Sequence, residues 1–210
     1  MNRLLIFGIS LAYEALTTLL PFFLIFLLFR NGQKKRGIVY PRYHVPAVFV
    51  FAVYVLGVYH FTGVGTLYDI KRFIFIPEQI NLIPFSNEID IVAYVLNIVL
   101  FVPLGLLAPM IWQKSDRLTN ILGVGLGFTL LIEVSQLLNF RSTDIDDVIL
   151  NVLGAAVGFV IYKLWDKVTK AKYRVNSPVT AELAMCILLA FAGRFFLYNE
   201  MGLMSLIYGF

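Results

Sequence analysis

Three aspartates stand close together in the stretch FRSTDIDDVILN and could support acid chemistry. Asp144, Asp146 and Asp147 follow Arg141 and lead directly into an apolar segment. Because Mg²⁺ and Mn²⁺ prefer oxygen ligands, this run is a weak candidate for a divalent-cation site. The same acids also suit the start of a helix, where free N–H groups and the helix dipole favour negative charge. Both interpretations stay open at the level of the sequence.

A second set of polar residues lies inside apolar segments. Glu133 and Gln136 are three residues apart and share a helix face, while Asn97 and Asn151 lie in two other segments. A carboxylate in hydrocarbon costs several kcal/mol unless it is paired, protonated or hydrated, so Glu133 is a candidate functional residue.

These residues also have structural interpretations. Glu133 would serve only to hold helices together if it paired with Arg141 or Arg194. Independently of Glu133, the amides of Asn97, Gln136 and Asn151 are expected to form hydrogen bonds between helices. Glu14 and Arg194 are further intramembrane charges, and the spacing does not decide whether they pair with each other.

The composition predicts the elements that position these residues. The chain has 210 residues, of which 60% are hydrophobic and 14% charged, and its mean hydropathy is +0.82. Soluble domains are about half apolar and about a quarter charged. The sequence therefore predicts an all-α integral membrane protein in the lipid bilayer. One cysteine and two histidines exclude an internal disulfide, a cysteine zinc site and a histidine metal cluster.

Six segments are long and apolar enough for spanning helices of roughly 20 residues. They lie at about 4–29, 45–65, 91–112, 119–139, 147–165 and 178–198. The first is too long for a signal peptide and carries Glu14, so we expect it to remain as a span. The chain is interpreted as one transmembrane domain, 1–210.

The basic residues predict the orientation of this bundle. Twelve of them fall in loops on one side: Arg30, Lys34, Lys35, Arg36, Arg42, Lys114, Arg117, Lys163, Lys167, Lys170, Lys172 and Arg174. The other side has four: Arg3, Lys71, Arg72 and Arg141. Because cytoplasmic loops carry excess Lys and Arg, both termini and the aspartate run are predicted outside. The positive charge thus follows membrane topology, and no nucleic-acid partner is expected.

Helix periodicity predicts that the polar groups meet. One stripe of the fifth segment consists of Asp144, Asp147, Asn151, Gly154 and Gly158. Its G-x-x-x-G allows close approach of another helix, and the fourth segment has a similar pair, Gly123 and Gly127. We therefore expect the fourth and fifth segments to pack together and to place Glu133 near Asp147 and Asn151.

Four motifs resemble the VanZ-like family. They are NLIPF (81–85), NIVLFVPLG (97–105), IEVSQ (132–136) and RSTDIDDVILNVLGAAVG (141–158). The resemblance covers about 45–165 and leaves flanking helices at about 4–29 and 178–198. It implies a multi-pass protein of the bacterial cytoplasmic membrane, and the founding family member contributes to resistance to teicoplanin, a lipid-bearing glycopeptide.

The favoured hypothesis is a non-enzymatic cell-envelope protein with an outward-facing polar cavity. The cavity would bind an amphiphile, namely a lipid, a cell-wall precursor or a lipoglycopeptide. The candidate ligand-binding residues are Asn81, Asn97, Glu133, Gln136, Arg141, Asp144, Asp146, Asp147 and Asn151.

Two alternatives belong to other classes. One is a membrane enzyme acting on a lipid-linked phosphate, with Glu133 as general base and a divalent cation on Asp144, Asp146 and Asp147. The chain contains no Walker loop and no G-x-S-x-G, and no cofactor is required by its motifs. The other is a proton-coupled transporter, although the sequence shows no inverted repeat.

Overall fold

The computed structural model describes residues 3–74, 76–86, 90–139, 141–179 and 181–209. In these ranges the α-helices are α1 (Arg3–Lys35), α2 (His44–Thr62), α3 (Ile91–Ile111), α4 (Leu118–Gln136), α5 (Ile145–Thr169), α6 (Ala181–Leu197) and α7 (Glu200–Tyr208). Two short strands, β1 (Ile80–Asn81) and β2 (Thr143–Asp144), pair in parallel. Short 3₁₀ turns cover Asp69–Arg72, Pro77–Gln79, Gln113–Ser115 and Leu137–Asn139.

Six helical segments in the described part of the chain are long and apolar enough to cross a membrane. They are Arg3–Lys35, His44–Thr62, Ile91–Ile111, Leu118–Asn139, Ile145–Thr169 and Ala181–Tyr208. The last combines α6 and α7, which are separated at Tyr198 and Asn199. The Asn199 side chain accepts a hydrogen bond from Gly202 N and so caps α7. The predicted six-helix, all-α membrane fold is confirmed.

Every second loop lies at the same end of the bundle, as expected for a chain that crosses the bundle repeatedly. At one end, β1 pairs with β2 and the Asn139 side chain donates to Gly63 O. We call this the acidic end, because it carries the aspartate run. At the other end, which we call the basic end, Val175 N donates a hydrogen bond to Met110 O. Trp112 and Ser177 form an isolated parallel β-bridge at the same end. The polar residues of α3, α4 and α5 therefore lie toward the acidic end.

The closest helix contact joins α3 to α5 through glycines. A Cβ at Gly154 would collide with Ile98 O, and one at Gly158 would collide with Val102 O. In return, Gly105 of α3 lies against the α5 backbone at Ala155. Small residues permit this approach, which brings the two backbones into direct contact.

The glycine pairs of the fourth and fifth segments do not face each other. Gly123 and Gly127 have no neighbour where a Cβ would stand, and Gly125 is the α4 glycine that faces Ala155. Helices α4 and α5 do pack together, as predicted. A G-x-x-x-G identifies a smooth helix face but not the helix that covers it, and here Gly105 made α3 the better partner.

The flanking helices α1 and α6 pack on each other and are attached to α2 by buried charges. Glu14 of α1 contacts Arg194 Nε of α6 at 2.8 Å and His60 Nδ1 of α2 at 2.6 Å. Near the basic end, His44 Nε2 lies 2.8 Å from Oε2 of Glu182, and both side chains are fully buried. The question of a partner for Glu14 is thus answered, since Arg194 and His60 both contact its carboxylate.

Candidate functional site

A cavity of about 510 Å³ lies between α2, α3, α4 and α5 near the acidic end. We call it the polar cavity. Six of the nine residues proposed from the sequence line it: Asn97, Glu133, Gln136, Arg141, Asp147 and Asn151. The remaining lining residues are Phe61, Thr62, Ala93, Leu96, Val99 and Leu100. Polar groups from three helices and one loop therefore share one space.

Glu133 is 3% exposed, and hydrogen bonds connect it to the segment that carries the aspartate run. Its Oε2 accepts a hydrogen bond from Asp144 N at 3.2 Å, and its main-chain oxygen accepts one from Thr143 Oγ1 at 3.0 Å. Among the described residues, none donates to Oε1. One carboxylate oxygen of Glu133 is thereby left for the cavity.

Neither of the structural pairings expected for Glu133 is formed. Arg194 pairs with Glu14 instead, and Arg141 Nη1 donates to Thr62 O at 2.8 Å. These partners belong to α1 and α2, whose positions the local sequence around Glu133 does not encode. In the part of the chain that the structure describes, Glu133 therefore has no basic side chain within ion-pair distance.

Asp147 is half-buried and lines the same cavity. Its Oδ1 accepts a 2.5 Å hydrogen bond from Asn97 Nδ2. This hydrogen bond links α3 directly to the first turn of α5. No described side chain or backbone N–H donates to Oδ2 of Asp147, so a second carboxylate oxygen is without a partner.

The other two amides bond across helices through their nitrogen atoms. Asn151 Nδ2 donates to Thr129 Oγ1 at 2.9 Å, and Gln136 Nε2 donates to Thr62 O at 2.7 Å. Their carbonyl oxygens, Asn151 Oδ1 and Gln136 Oε1, are buried and accept no hydrogen bond from the residues that the structure describes. The interhelical role considered for Asn97, Gln136 and Asn151 is seen for all three.

Arg141 lies at the rim, over the end of α2. The helix ends at Gly63, which adopts a left-handed conformation (φ 64°) favoured by glycine. The guanidinium of Arg141 occupies the space that a Gly63 side chain would need. Gly63 therefore both terminates α2 and makes room for the cation at the cavity rim.

One wall of the polar cavity is apolar and faces outward. Leu96 is 60% exposed and Val99 is 56% exposed on the surface of α3. Exposed leucine and valine on a spanning helix are positioned to contact lipid chains rather than water. The cavity therefore combines polar groups with an exposed apolar wall on α3.

Asn81, Asp144 and Asp146 lie outside the cavity lining. Asp144 Oδ1 caps α5 by accepting from Asp146 N, and Asp144 Oδ2 accepts from Asn81 Nδ2 at 3.1 Å. Asp146 is 2% exposed and accepts from Phe85 N at 2.8 Å and from Tyr94 Oη at 2.6 Å. These three residues attach the NLIPF segment to the start of α5.

The aspartate run does not fit a metal site. Within the described ranges, no group of three or more His, Cys, Asp or Glu side chains is arranged to hold a metal ion. Asp144 faces the strand pair, Asp146 faces Phe85 and Tyr94, and Asp147 faces Asn97. Asp146 and Asp147 are successive positions of α5 and point in different directions, and Asp144 lies in β2 before the helix begins.

The sequence did not predict the role of Tyr94 or the presence of a second cavity. Tyr94 donates to Asp146, and its spacing of three residues before Asn97 put it on the same face of α3. A second cavity of about 440 Å³ lies beside the first, between the end of α2 and the α6–α7 junction. Arg141 lines both cavities, and Arg194, Asp69, Lys71 and Glu200 line the second.

The fold and this site define a multi-pass helical membrane protein with a polar cavity beside an exposed apolar face of α3. A family model described as VanZ/LLP1 matches residues 48–166, more than half of the chain, and the chain belongs to this family. The matched range extends from α2 to α5 and contains every residue that lines the polar cavity. No match was found among curated proteins or among solved structures.

Proposed function

We propose that this protein is a cell-envelope component of the bacterial cytoplasmic membrane that binds an amphiphile in the polar cavity. Through this binding it would contribute to resistance against teicoplanin-type lipoglycopeptides. The observation that carries the proposal is the combination of polar groups, from Glu133, Asp147 and Asn97, with an exposed apolar wall on α3. An amphiphile has these two properties in one molecule.

The site suits binding of a headgroup more than burial of a chain. An acyl chain gains little hydrophobic free energy when it moves from lipid to an apolar protein surface such as Leu96 and Val99. Affinity and selectivity then depend on hydrogen bonds and charges at Glu133, Asp147 and Arg141. These groups are already held by neighbouring residues, which lowers the cost of ordering them around a ligand.

The orientation expected from the basic loops supports an outward-facing cavity. Twelve of the 17 Lys and Arg residues belong to the basic end, so the acidic end with the cavity would face the outside. A ligand in the outer leaflet, or a lipid-bearing drug anchored there, would reach the cavity from the side, along the exposed apolar wall of α3.

The test is drug susceptibility in one host that carries empty vector, wild type, Glu133→Gln or Glu78→Gln, with membrane levels matched by blot. Glu78 is an exposed acid of the same end that does not line the polar cavity, so its amide variant is the matched control. We expect wild type and Glu78→Gln to raise the inhibitory concentration of teicoplanin but not of vancomycin, and Glu133→Gln to lose this effect.

Two results would contradict the proposal. Absence of protection by wild type would remove the resistance role in that host. Equal protection by wild type and Glu133→Gln would leave Glu133 with a purely structural part and would remove the polar cavity from the mechanism.

A further inference from the structure

We infer that the amphiphile bound in the polar cavity carries a primary ammonium in its headgroup, with an anionic group next to it facing Arg141. This inference rests on the proposed function and names the ligand class for the same cavity. The ligand is therefore expected to be a zwitterionic membrane phospholipid of the ethanolamine type.

The first argument is an excess of hydrogen-bond acceptors. Among described residues, Glu133 Oε1 and Asp147 Oδ2 accept no hydrogen bond, although both carboxylates line the cavity. Both of these oxygens belong to side chains that face the cavity, so a bound group can reach them. Because buried acceptors without partners destabilise a structure, this wall favours a ligand that brings N–H or O–H groups.

The second argument is charge. The cavity contains two carboxyl groups and one guanidinium, and a hydrogen of that guanidinium is already donated to Thr62 O. An ammonium supplies a positive charge and three donors to the carboxylates in one small group. Among the described residues neither carboxyl has a basic side chain within ion-pair distance, so an ammonium would also supply their missing counter-charge.

The third argument is that one cavity offers partners for all three parts of such a lipid. Arg141 lines the same cavity as Glu133 and Asp147, and its remaining donors can meet a phosphate or carboxylate. Leu96 and Val99 also line the cavity and are more than half exposed on α3, where an acyl chain can lie against them. An ethanolamine phospholipid carries an ammonium, a phosphate and acyl chains in one molecule, so it would satisfy all three parts of the site.

The donors, rather than the charge alone, are expected to decide selectivity. Successive N-methylation of phosphatidylethanolamine removes its three N–H donors one at a time and ends at phosphatidylcholine, which keeps the positive charge. This series separates hydrogen bonding from electrostatic attraction without changing the acyl chains or the phosphate.

The experiment is native mass spectrometry of the full-length protein, purified in detergent and equilibrated with equal amounts of two lipids of the series. We expect wild type to retain phosphatidylethanolamine over phosphatidylcholine by about tenfold or more, with intermediate ratios for the mono- and dimethyl lipids. Glu133→Gln and Asp147→Asn should each reduce the ratio toward one. Glu78→Gln should retain the wild-type ratio.

A second variant distinguishes the failure of this inference from the failure of the proposed function. Ala93 lines the polar cavity, and Ala93→Trp should fill the space and reduce retention of every lipid. Equal retention of the ethanolamine and choline lipids by wild type, with loss in Ala93→Trp, would overturn the ammonium inference alone. Unchanged lipid retention in a folded Ala93→Trp protein would place the lipid elsewhere and overturn amphiphile binding in the cavity.

Discussion

Asn97 Nδ2 lies 2.5 Å from Asp147 Oδ1, and this hydrogen bond joins α3 to α5 at the wall of the polar cavity. The two helices are already in backbone contact through Gly105, Gly154 and Gly158. The polar contact therefore sits at the acidic end of a rigid pair and fixes the direction in which the Asp147 carboxylate points.

Replacing Asn97 tests the energy of this contact. Asn97→Ala removes the donor and should lower the free energy of unfolding by about 1 kcal/mol, because hydrogen bonds between membrane helices have modest net strength. Asp147→Ala in the Asn97→Ala background should cost less than in wild type. Unfolding in bicelles across the four-protein cycle measures this coupling, and strictly additive effects would mean that the bond contributes nothing.

The glycines of α5 and α4 provide a matched comparison. Gly158→Ala should destabilise the protein by about 2 kcal/mol or more, because its methyl group would meet the α3 backbone at Val102. Gly127→Ala places the same methyl group in open space and should retain or slightly improve stability. Thermal unfolding of the two variants, followed by size-exclusion chromatography, measures the difference; equal behaviour would contradict the helix pairing.

The sequence predicted that the cavity residues lie close together, but it did not predict which contacts form between distant segments of the chain. Helix periodicity in the predicted spans placed Glu133 near Asp147 and Asn151, and the structure brings these residues and Asn97 around one cavity. Periodicity is informative here because residues three or four positions apart share one face of a helix. The direction in which each side chain points from its helix follows from the same periodicity.

Contacts between distant segments could not be predicted in this way. Glu14 and Arg194 are 180 residues apart, and nothing in either local pattern identifies the other as its partner. The two backbone-facing glycines of α5 defined a close contact but not its partner helix. The attachment of Phe85 to Asp146 depends on the path of a loop, which hydropathy and periodicity do not encode.

The buried pair of Glu14 and Arg194 predicts a strong effect from single substitutions. Glu14→Gln leaves the guanidinium of Arg194 buried without its counter-charge and should destabilise the protein by about 3 kcal/mol. The double variant Glu14→Gln, Arg194→Met removes both charges and should recover much of this loss. Thermal unfolding of the three proteins measures these differences in stability. A double variant that is no more stable than Glu14→Gln would contradict the pairing.

The orientation of the bundle predicts a labelling pattern. With Cys186→Ala as background, a cysteine introduced by Glu78→Cys should react with a membrane-impermeant maleimide on intact cells, because position 78 belongs to the acidic end. A cysteine introduced by Lys172→Cys should react only after permeabilisation. The reverse pattern would place the polar cavity on the cytoplasmic side and remove the outer leaflet as the source of its ligand.

Asp146 is expected to act through the NLIPF segment rather than through a metal. Both of its carboxylate oxygens accept hydrogen bonds, one from Phe85 N and one from Tyr94 Oη. Asp146→Ala should therefore release residues 82–86 and increase their hydrogen exchange, while Tyr94→Phe, which removes one of the two bonds, should have a smaller effect in the same region. A metal role makes a different prediction, because addition of Mg²⁺ or Mn²⁺ would then stabilise wild type but not Asp146→Ala. Exchange that is unchanged in Asp146→Ala but sensitive to these cations in wild type would overturn the structural role.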